Sequence, residues 1–312
     1  MDFLHRFSGF GTPAPGGELV ANPLVENPLG LQLLFDAPLD LDADALALAL
    51  RAFHPDLAAA AAELHIVPRT EPPGGHPEND SPPAVLGLAG WGRHIVKLIG
   101  FNAPMPSDAV EACVRPAHFA DELKQLAYGH VSHALLYYAG YEPDPLEQYV
   151  ALGAVAAALA RFGAVTTLNE HARTAIPAAA LLPQDDEPDA LDMLRQLPIP
   201  LIYGGFVKLE VEGEPGVWMR TCGAGRLGLP DLALRAAGHH EGQRTFFLFS
   251  RLLDYLRESG RSFAPGHTMQ VGDDLYLRLR EPAEAEWYLE TEGEMLVCER
   301  IADDEANAPP PA

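Results

Sequence analysis

The sequence predicts an α+β protein with mixed or largely antiparallel sheets and helices packed on one face, arranged in two α/β-type halves. Three observations lead to this fold class. The chain has 312 residues, of which 48% are hydrophobic, so it can bury a large core without disulfides or metals. Segments that alternate apolar and polar residues recur between segments with helical spacing of apolar residues. The short connection EGEPG between two strand-like segments favours antiparallel pairing.

Composition divides the chain into segments. Glycine and proline dominate the start, so residues 1–30 are predicted to form a flexible arm. We assign residues 31–183 to an N-terminal α/β half and residues 184–302 to a C-terminal α+β half. The polar, proline-rich residues 303–312 are predicted to be a disordered tail. Residues 68–83, PRTEPPGGHPENDSPP, are predicted to form a long exposed loop.

The first half contains apolar segments typical of strands, each bounded by turn residues. They are LQLLF, AVLGLAGWG, RHIVKLIGF, HALLYYAG and AVTTLN. Three helices are predicted between them. Asp42 or Asp44 caps the first, and Ser107 caps a second that continues through Leu126. The third begins at Asp144, which precedes a first-turn proline, and runs to Phe162.

The second half begins with a short helix and continues with a hairpin. LIYGGFVKLEVE alternates apolar and charged residues, and VWMRT returns as its partner after EGEPG. DLALRAA is predicted to be the next strand. QRTFFLFSRLLDYLRES has an apolar helical face and ends at Gly260. DLYLRLRE reads as a strand, and EWYLETEGEMLVCER is predicted to be a closing hairpin about Glu292 and Gly293.

Net charge is the most informative bulk property. Forty-four Asp and Glu against 21 Lys and Arg give −23 at neutral pH. Such a surface repels phosphate backbones and anionic lipid, so we expect neither a nucleic-acid nor a membrane partner. Two interpretations stay open: the charge serves solubility, or it attracts a basic protein partner by speeding encounter.

Cysteine usage and the N-terminus predict a cytoplasmic protein. Cys113, Cys222 and Cys298 are far apart and form no C-x-x-C pair, so neither a disulfide framework nor a zinc-ribbon spacing is present. The start, MDFLHRFSGF, lacks the basic opening and apolar run of a secretory signal. No stretch has the ~18 uninterrupted apolar residues that a membrane span requires.

The segment CGAGRLG contains Gly223, Gly225 and Gly228 in the G-x-G-x-x-G spacing of a dinucleotide-binding turn. Its context disagrees with that role. The preceding VWMRT reads as a half-exposed hairpin strand, and Pro230 stands where a helix should be under way. The acidic residue expected about 20 positions on is also absent. We therefore predict a loop that joins two strands, and no cofactor.

Histidines and nucleophiles provide the remaining candidates for chemistry. Two groups of residues could supply metal ligands: the first is in GHHEG and the second in NEHAR. His130 and His133 could share a helical face, but no H-E-x-x-H occurs. No G-x-S-x-G occurs either, and Ser250 lies in an apolar helix; among the cysteines only Cys222 is predicted to be exposed. We assign no catalytic residue and no metal. The weak metal candidates are His239, His240, Glu241, Glu170 and His171.

Residues 200–282 contain the strand ending MRTCGAGRLGLPDLAL, the apolar helix ending LRESG, and the turn GHTMQVGDDLYLRL. In this order the pieces resemble a bacterial family known as domain of unknown function 4261. Asp231 stands where the family usually has Glu, and His267 where it usually has Asp. The resemblance implies a cytoplasmic protein with no assigned activity or cofactor and, by association, an immunity or accessory role beside a secreted toxin.

These observations favour a non-enzymatic interaction protein, of an immunity or secretion-associated type, that binds a basic toxin or effector. The alternative is a small-molecule hydrolase or metal-binding enzyme that uses the His and Glu candidates. Because fold alone does not give function, the choice depends on whether these side chains converge.

Overall fold

The computed structural model describes residues 19–67, 83–183, 189–272 and 275–302. Within them the chain forms two compact units. Unit 1 runs to Glu170 and resumes over Thr174–Leu197, and unit 2 contains His171–Arg173 and the residues from Pro198 on. Each unit has its own sheet with helices beside it, and most strand pairs are antiparallel, which confirms the α+β class. The boundary between the units falls between Leu197 and Pro198 in the sequence, whereas composition suggested a boundary between residues 183 and 184.

Seven described strands of unit 1 form an antiparallel sheet in the order β2-β3-β4-β5-β1-β6-β7. All residues of β1 are buried because it pairs with β5 on one side and β6 on the other. The predicted strands are confirmed, while β2 and β7 were missed. The bounds are β1 Gly30–Phe35, β2 Ala61–Ile66, β3 Val85–Trp91, β4 His94–Phe101, β5 Ser132–Tyr138, β6 Ala164–Asn169 and β7 Thr174–Pro177.

Two helices of unit 1 begin at the predicted caps. Asp42 accepts a hydrogen bond from the backbone of Ala45 at 2.8 Å, and Asp144 accepts one from Leu146 at 2.9 Å. The second of these helices contacts β1, β4, β5 and β6. The helices are α1 Ala43–Phe53, α2 Ser107–Val114, α3 Asp121–Tyr128, α4 Pro145–Ala160 and α5 Ala190–Gln196.

The single helix predicted from Ser107 through Leu126 is two helices, α2 and α3. Ser107 is the first helical residue rather than the cap, which is Pro106. Pro116 follows the end of α2, and its ring removes a backbone N–H and obstructs the preceding turn. The helix therefore stops before Phe119 and restarts at Asp121.

The flexible arm predicted for residues 1–30 is wrong from Leu19 on, and residues 1–18 lie outside the described residues. Leu19 and Ala21 are buried beside β3 and β4. The backbone N–H of Asn22 donates to the carbonyl oxygen of Ala139 at 2.8 Å. This segment is fixed because it covers apolar side chains of the sheet. The loop predicted at 68–83 lies outside the described residues except for Pro83, as does the tail at 303–312.

Six described strands of unit 2 form a sheet in the order β11-β12-β13-β10-β9-β8. The pair β10–β13 is parallel, and the other neighbours are antiparallel. The predicted hairpin of β8 and β9 is confirmed. The bounds are β8 Gly205–Leu209, β9 Val217–Cys222, β10 Asp231–Ala236, β11 Thr268–Gln270, β12 Tyr276–Arg280 and β13 Met295–Ile301.

The helices of unit 2 are α6, Ile199–Ile202, and α7, Gly242–Ser259. The predicted apolar face of α7 is confirmed: Phe249 and Leu253 pack with side chains of β9, β10, β12 and β13. Gly260 ends the helix with φ 62° and donates its N–H to the carbonyl oxygen of Leu256 at 3.0 Å. A left-handed residue at this place favours glycine.

The predicted closing hairpin about Glu292 and Gly293 is wrong. Residues 284–289 form a short 3₁₀ helix, and only β13 is a strand. Glu286 closes the turn by accepting the backbone N–H of Ala283 at 2.8 Å, and Arg280 binds both of its carboxylate oxygens at 2.6 and 2.7 Å. Leu289 is buried against the sheet face that carries Trp218 and Val297, so this segment is a cover rather than a strand.

Candidate functional site

The glycine string joins β9 to β10, as predicted. Ala224–Leu227 form one 3₁₀ turn between Gly223 and Gly228, which have φ 81° and 71°. Both values lie in the left-handed region that glycine adopts without strain. A dinucleotide site needs instead a helix that begins in the loop and points its free amides at a pyrophosphate.

The carboxylate of Asp231 occupies the place where an anion would bind this loop. Its Oδ1 accepts hydrogen bonds from the Thr221 hydroxyl at 2.8 Å and the Ala224 amide at 3.2 Å. Its Oδ2 accepts from the Gly223 amide at 3.2 Å and the Thr291 hydroxyl at 2.8 Å. Asp231 is only 1% exposed. The Gly223 and Ala224 amides at the start of the loop are therefore satisfied from within the chain, and the carboxylate has a structural role.

The strand that precedes this loop differs from the prediction. The strand β9 is fully buried and not half-exposed. Arg220 is buried because its guanidinium donates to the carbonyl oxygens of Tyr288 and Glu290 at 3.3 Å, so its charge did not mark a solvent-facing position. The carbonyl groups that accept from Arg220 lie 68 and 70 residues further along the chain, so no local sequence pattern indicates that this arginine is buried.

The first group of metal candidates lies on an exposed turn at the start of α7. His239 Nε2 lies 2.8 Å from Glu210 Oε1, and both side chains are more than half exposed. Glu241 accepts the Ala237 amide at 2.8 Å and pairs with Arg300, which lowers the pKa of its carboxyl. His240 is exposed on the same turn. The carboxylates are engaged with different partners, so the three residues do not form one ligand set.

The second group, Glu170 and His171, has no third ligand beside it among the described residues either. The backbone N–H of Glu170 donates to Gln32 Oε1 at 3.1 Å in unit 1. His171 Nδ1 lies 3.4 Å from a guanidinium nitrogen of Arg226 in unit 2, and a cation beside the ring opposes metal binding. Across residues 19–67, 83–183, 189–272 and 275–302, no three His, Cys, Asp or Glu side chains are placed to hold a metal ion.

His130 and His133 do not share a helical face, because the second lies in β5 and the first just before it. His130 Nδ1–H donates to the carbonyl oxygen of Ala127 at 2.7 Å, and its Nε2 accepts the Met105 amide at 2.8 Å. His133 Nδ1 lies 2.7 Å from the carbonyl oxygen of Ala103. Burial lowers the pKa of both imidazoles. These rings tie the backbone together.

The possible nucleophiles are buried. Cys222 was predicted to be exposed, but it is 6% exposed, and burial raises the pKa of its thiol. Burial raises the pKa of Cys298 to about 12, and Cys113 is buried as well. The Ser250 hydroxyl donates to the carbonyl oxygen of Phe246 at 2.9 Å within α7. A thiol that stays protonated is a poor nucleophile.

Unit 2 contains an open cleft of ≈ 860 Å³ between the second half of α7 and β11, which we call the α7 cleft. Its wall includes Arg251, Tyr255, Arg261, Phe263 and His267. A smaller cleft of ≈ 380 Å³ in unit 1 lies between residues 21–28 and the tyrosines of β5.

Unit 1 also exposes apolar side chains on α3 and the turn that follows it. The exposed fractions are 37% for Leu123, 46% for Leu126, and 42% for both Tyr128 and Val131. Asp121 and Glu122 are exposed at the start of the same helix. We call these six residues the α3 face. Sequence reasoning missed it because one helix was predicted across the break at Pro116.

Fold and sequence together define an acidic α+β protein with two sheets among its described residues. A family model, Domain of unknown function (DUF4261), matches residues 220–296, which confirms the predicted resemblance over that segment. The match runs from within β9 to the start of β13 and includes the Asp231 loop and the α7 cleft. No curated protein and no solved structure matched the chain. Within the described residues, every helix is too short or too polar to cross a bilayer.

Proposed function

We propose that this chain is a non-catalytic interaction protein that binds a basic protein. The observation that carries the proposal is the net charge of −23. Charge of this size raises the rate at which a partner of opposite sign is encountered, and it discriminates against acidic proteins. The partner we envisage is a basic toxin or effector in the cytoplasm, with this chain in an immunity-type or secretion-associated role.

The α3 face is the contact surface that this proposal favours. Stable interfaces combine an apolar centre with a polar rim, and aromatic side chains near the centre contribute most to affinity. Here Leu126, Tyr128 and Val131 are each more than 40% exposed, and the acidic residues Asp121 and Glu122 border them. Long-range attraction by the acidic surface and short-range burial of this face are complementary contributions.

The burial and the hydrogen-bond partners of the candidate nucleophiles and metal ligands support a binding role over the hydrolase or metalloenzyme alternative. The cysteines are buried, the described His and Glu candidates engage separate partners, and the glycine loop is filled by Asp231. The alternative relied on these His and Glu candidates forming one site, and within the described residues no three of them are placed to hold a metal ion.

The proposal is tested with purified basic proteins encoded beside this gene, titrated calorimetrically at low and high salt. We expect binding that weakens as salt rises, because screening shortens the reach of the charges. Substituting Leu126→Ser together with Tyr128→Ser should weaken binding about tenfold or more, since buried anchors dominate interface energy.

The matched control is Leu48→Ser on α1, a leucine that is 66% exposed outside the α3 face. It should leave affinity unchanged. The proposal fails if none of the basic candidates binds, or if binding ignores ionic strength. If the control weakens binding as much as the double variant, the α3 face is not the contact.

A further inference from the structure

The described residues that line the α7 cleft are basic rather than acidic, in contrast to the net charge of the chain. The chain carries 44 acidic residues, yet the described residues that line this cleft include two arginines and a histidine and no Asp or Glu. Arg251, Arg261 and His267 are all exposed, so their charged or polar ends reach solvent. Such a concentration of cationic groups in a concave site is a feature that selects anions.

The two arginines are also unengaged within the described residues. Several other arginines of unit 2 bind carboxylates, among them Arg280, which is 2.6 Å from Glu286, and Arg235, which is 3.1 Å from Glu214. The guanidinium groups of Arg251 and Arg261 have no ion pair or hydrogen bond in that part of the chain. In a protein with excess carboxylates, two arginines without carboxylate partners at one cleft are available for a ligand.

The histidine adds a hydrogen-bond donor. His267 Nδ1 accepts the backbone N–H of Ala264 at 3.3 Å, which leaves the proton of the neutral ring on Nε2. The hydroxyl groups of Ser262 and Thr268 also line the cleft. Two guanidinium forks with further donors suit a group that has several oxygens and about two negative charges. A phosphate monoester fits this description better than a single carboxylate.

An aromatic pair stands beside these donors. The rings of Tyr255 and Phe263 stack with centroids 6.3 Å apart and planes 24° apart, and Tyr255 is 45% exposed. An exposed ring face offers stacking to a flat ligand group. The volume of ≈ 860 Å³ lies within the range of about 300–1,000 Å³ typical of small-molecule sites.

We propose that the α7 cleft binds a small phosphate monoester that carries a planar ring. Arg251 and Arg261 hold the phosphate, His267 donates to it, and the ring lies against Tyr255. This site is independent of the α3 face: it lies in unit 2, it has the opposite charge, and its ligand is a small molecule. The glycine string Gly223–Gly228, which has the spacing of a nucleotide-binding turn, takes no part in it.

The test uses the full chain with AMP and phenyl phosphate as probes, and adenosine and inorganic phosphate as partial probes. We expect saturable binding of both full probes, with adenosine and inorganic phosphate each at least about tenfold weaker. The double variant Arg251→Gln and Arg261→Gln should weaken AMP binding by about tenfold or more. Tyr255→Leu should weaken AMP binding and leave inorganic phosphate unchanged.

The matched control is Arg244→Gln, an exposed arginine on the same helix outside the cleft. Circular dichroism of each variant checks that it is folded, which we expect because the changed side chains are exposed. The proposal is overturned if neither AMP nor phenyl phosphate saturates the protein in the millimolar range. It is also overturned if adenosine binds as well as AMP, or if Arg244→Gln has the effect of the double variant.

Discussion

At the scale of single residues, Asp231 explains why a segment with nucleotide-binding spacing serves as a strand connection. Its carboxylate receives four hydrogen bonds, from Thr221, Gly223, Ala224 and Thr291. The sequence could show that the context of the glycines was wrong for a nucleotide. It could not show the carboxylate in the loop, because Thr291 approaches from a part of the chain 60 residues away.

Replacing Asp231 with Ala should destabilise the protein strongly. Two backbone amides and two hydroxyl groups would lose their acceptor inside a buried site, and we expect a loss of about 3 kcal/mol or more in the free energy of unfolding. Urea denaturation measures it. Asp108→Ala, at an exposed first-turn position of α2, should change stability by less than about 0.5 kcal/mol. Equal stability of the two variants would contradict the structural role.

Protonation of His130 should cost stability as the pH falls. Burial lowers the pKa of the folded imidazole, whose Nε2 accepts the Met105 amide and cannot do so once protonated. Above the unfolded value of about 6.5 the ring is neutral in both states, and its stabilising effect is complete. As the pH falls through about 6.5 toward the lowered folded pKa, the unfolded chain takes up the proton first, so stability is lost.

The measurement is the free energy of unfolding between pH 7.5 and pH 5. Each such histidine contributes a slope of at most about 1.4 kcal/mol per pH unit in this window. His130→Gln should reduce the slope, and His240→Gln, at an exposed ring, serves as the control. An unchanged slope in His130→Gln would show that this ring does not couple to pH. His94 and His133, whose pKa values burial also lowers, contribute to the slope that remains.

At the scale of elements, the correct predictions were those that depend on residues close together in the sequence. The starts of α1 and α4 were predictable because each capping aspartate lies within three residues of the backbone N–H from which it accepts a hydrogen bond. The break between α2 and α3 was missed although Pro116 is visible in the sequence, because apolar spacing was followed across it. The last hairpin was missed for another reason: Glu286 is held by Arg280, and Leu289 packs on a sheet face that no local pattern reveals.

The cap of α4 makes a direct test of the local argument. Asp144→Ala removes the acceptor of the Leu146 amide and should lower the free energy of unfolding by about 1 kcal/mol. Asp144→Asn keeps an acceptor oxygen, so its loss should be only a few tenths of that. Thermal unfolding of both variants gives the comparison. Equal losses in the two would mean that charge, rather than capping, sets the effect.

At the scale of the whole molecule, the fold class was predictable and the order of strands was not. Alternating segments showed that sheets exist, but pairing β1 with both β5 and β6 requires contacts between residues that lie 97 to 136 positions apart in the chain. The parallel pair β10–β13 had no signal at all, since each strand looks the same whichever way its neighbour runs. Net charge, by contrast, is a sum over the sequence and needs no structure, which is why it carries the functional proposal.

The place of β13 in its sheet has a consequence for biosynthesis. β13 lies between β12 and β10 in the sheet of unit 2. These two strands therefore have no common neighbour to pair with until residues 295–301 have left the ribosome. Until then β10 emerges with one edge unpaired, and its side chains Leu232 and Leu234 lack part of their final cover. Such a nascent edge is a substrate for chaperones and a starting point for aggregation. A stop codon before β13 would therefore release a chain that is complete through most of its length. Its second sheet could not form as described, because the strand that pairs with both β12 and β10 would be absent.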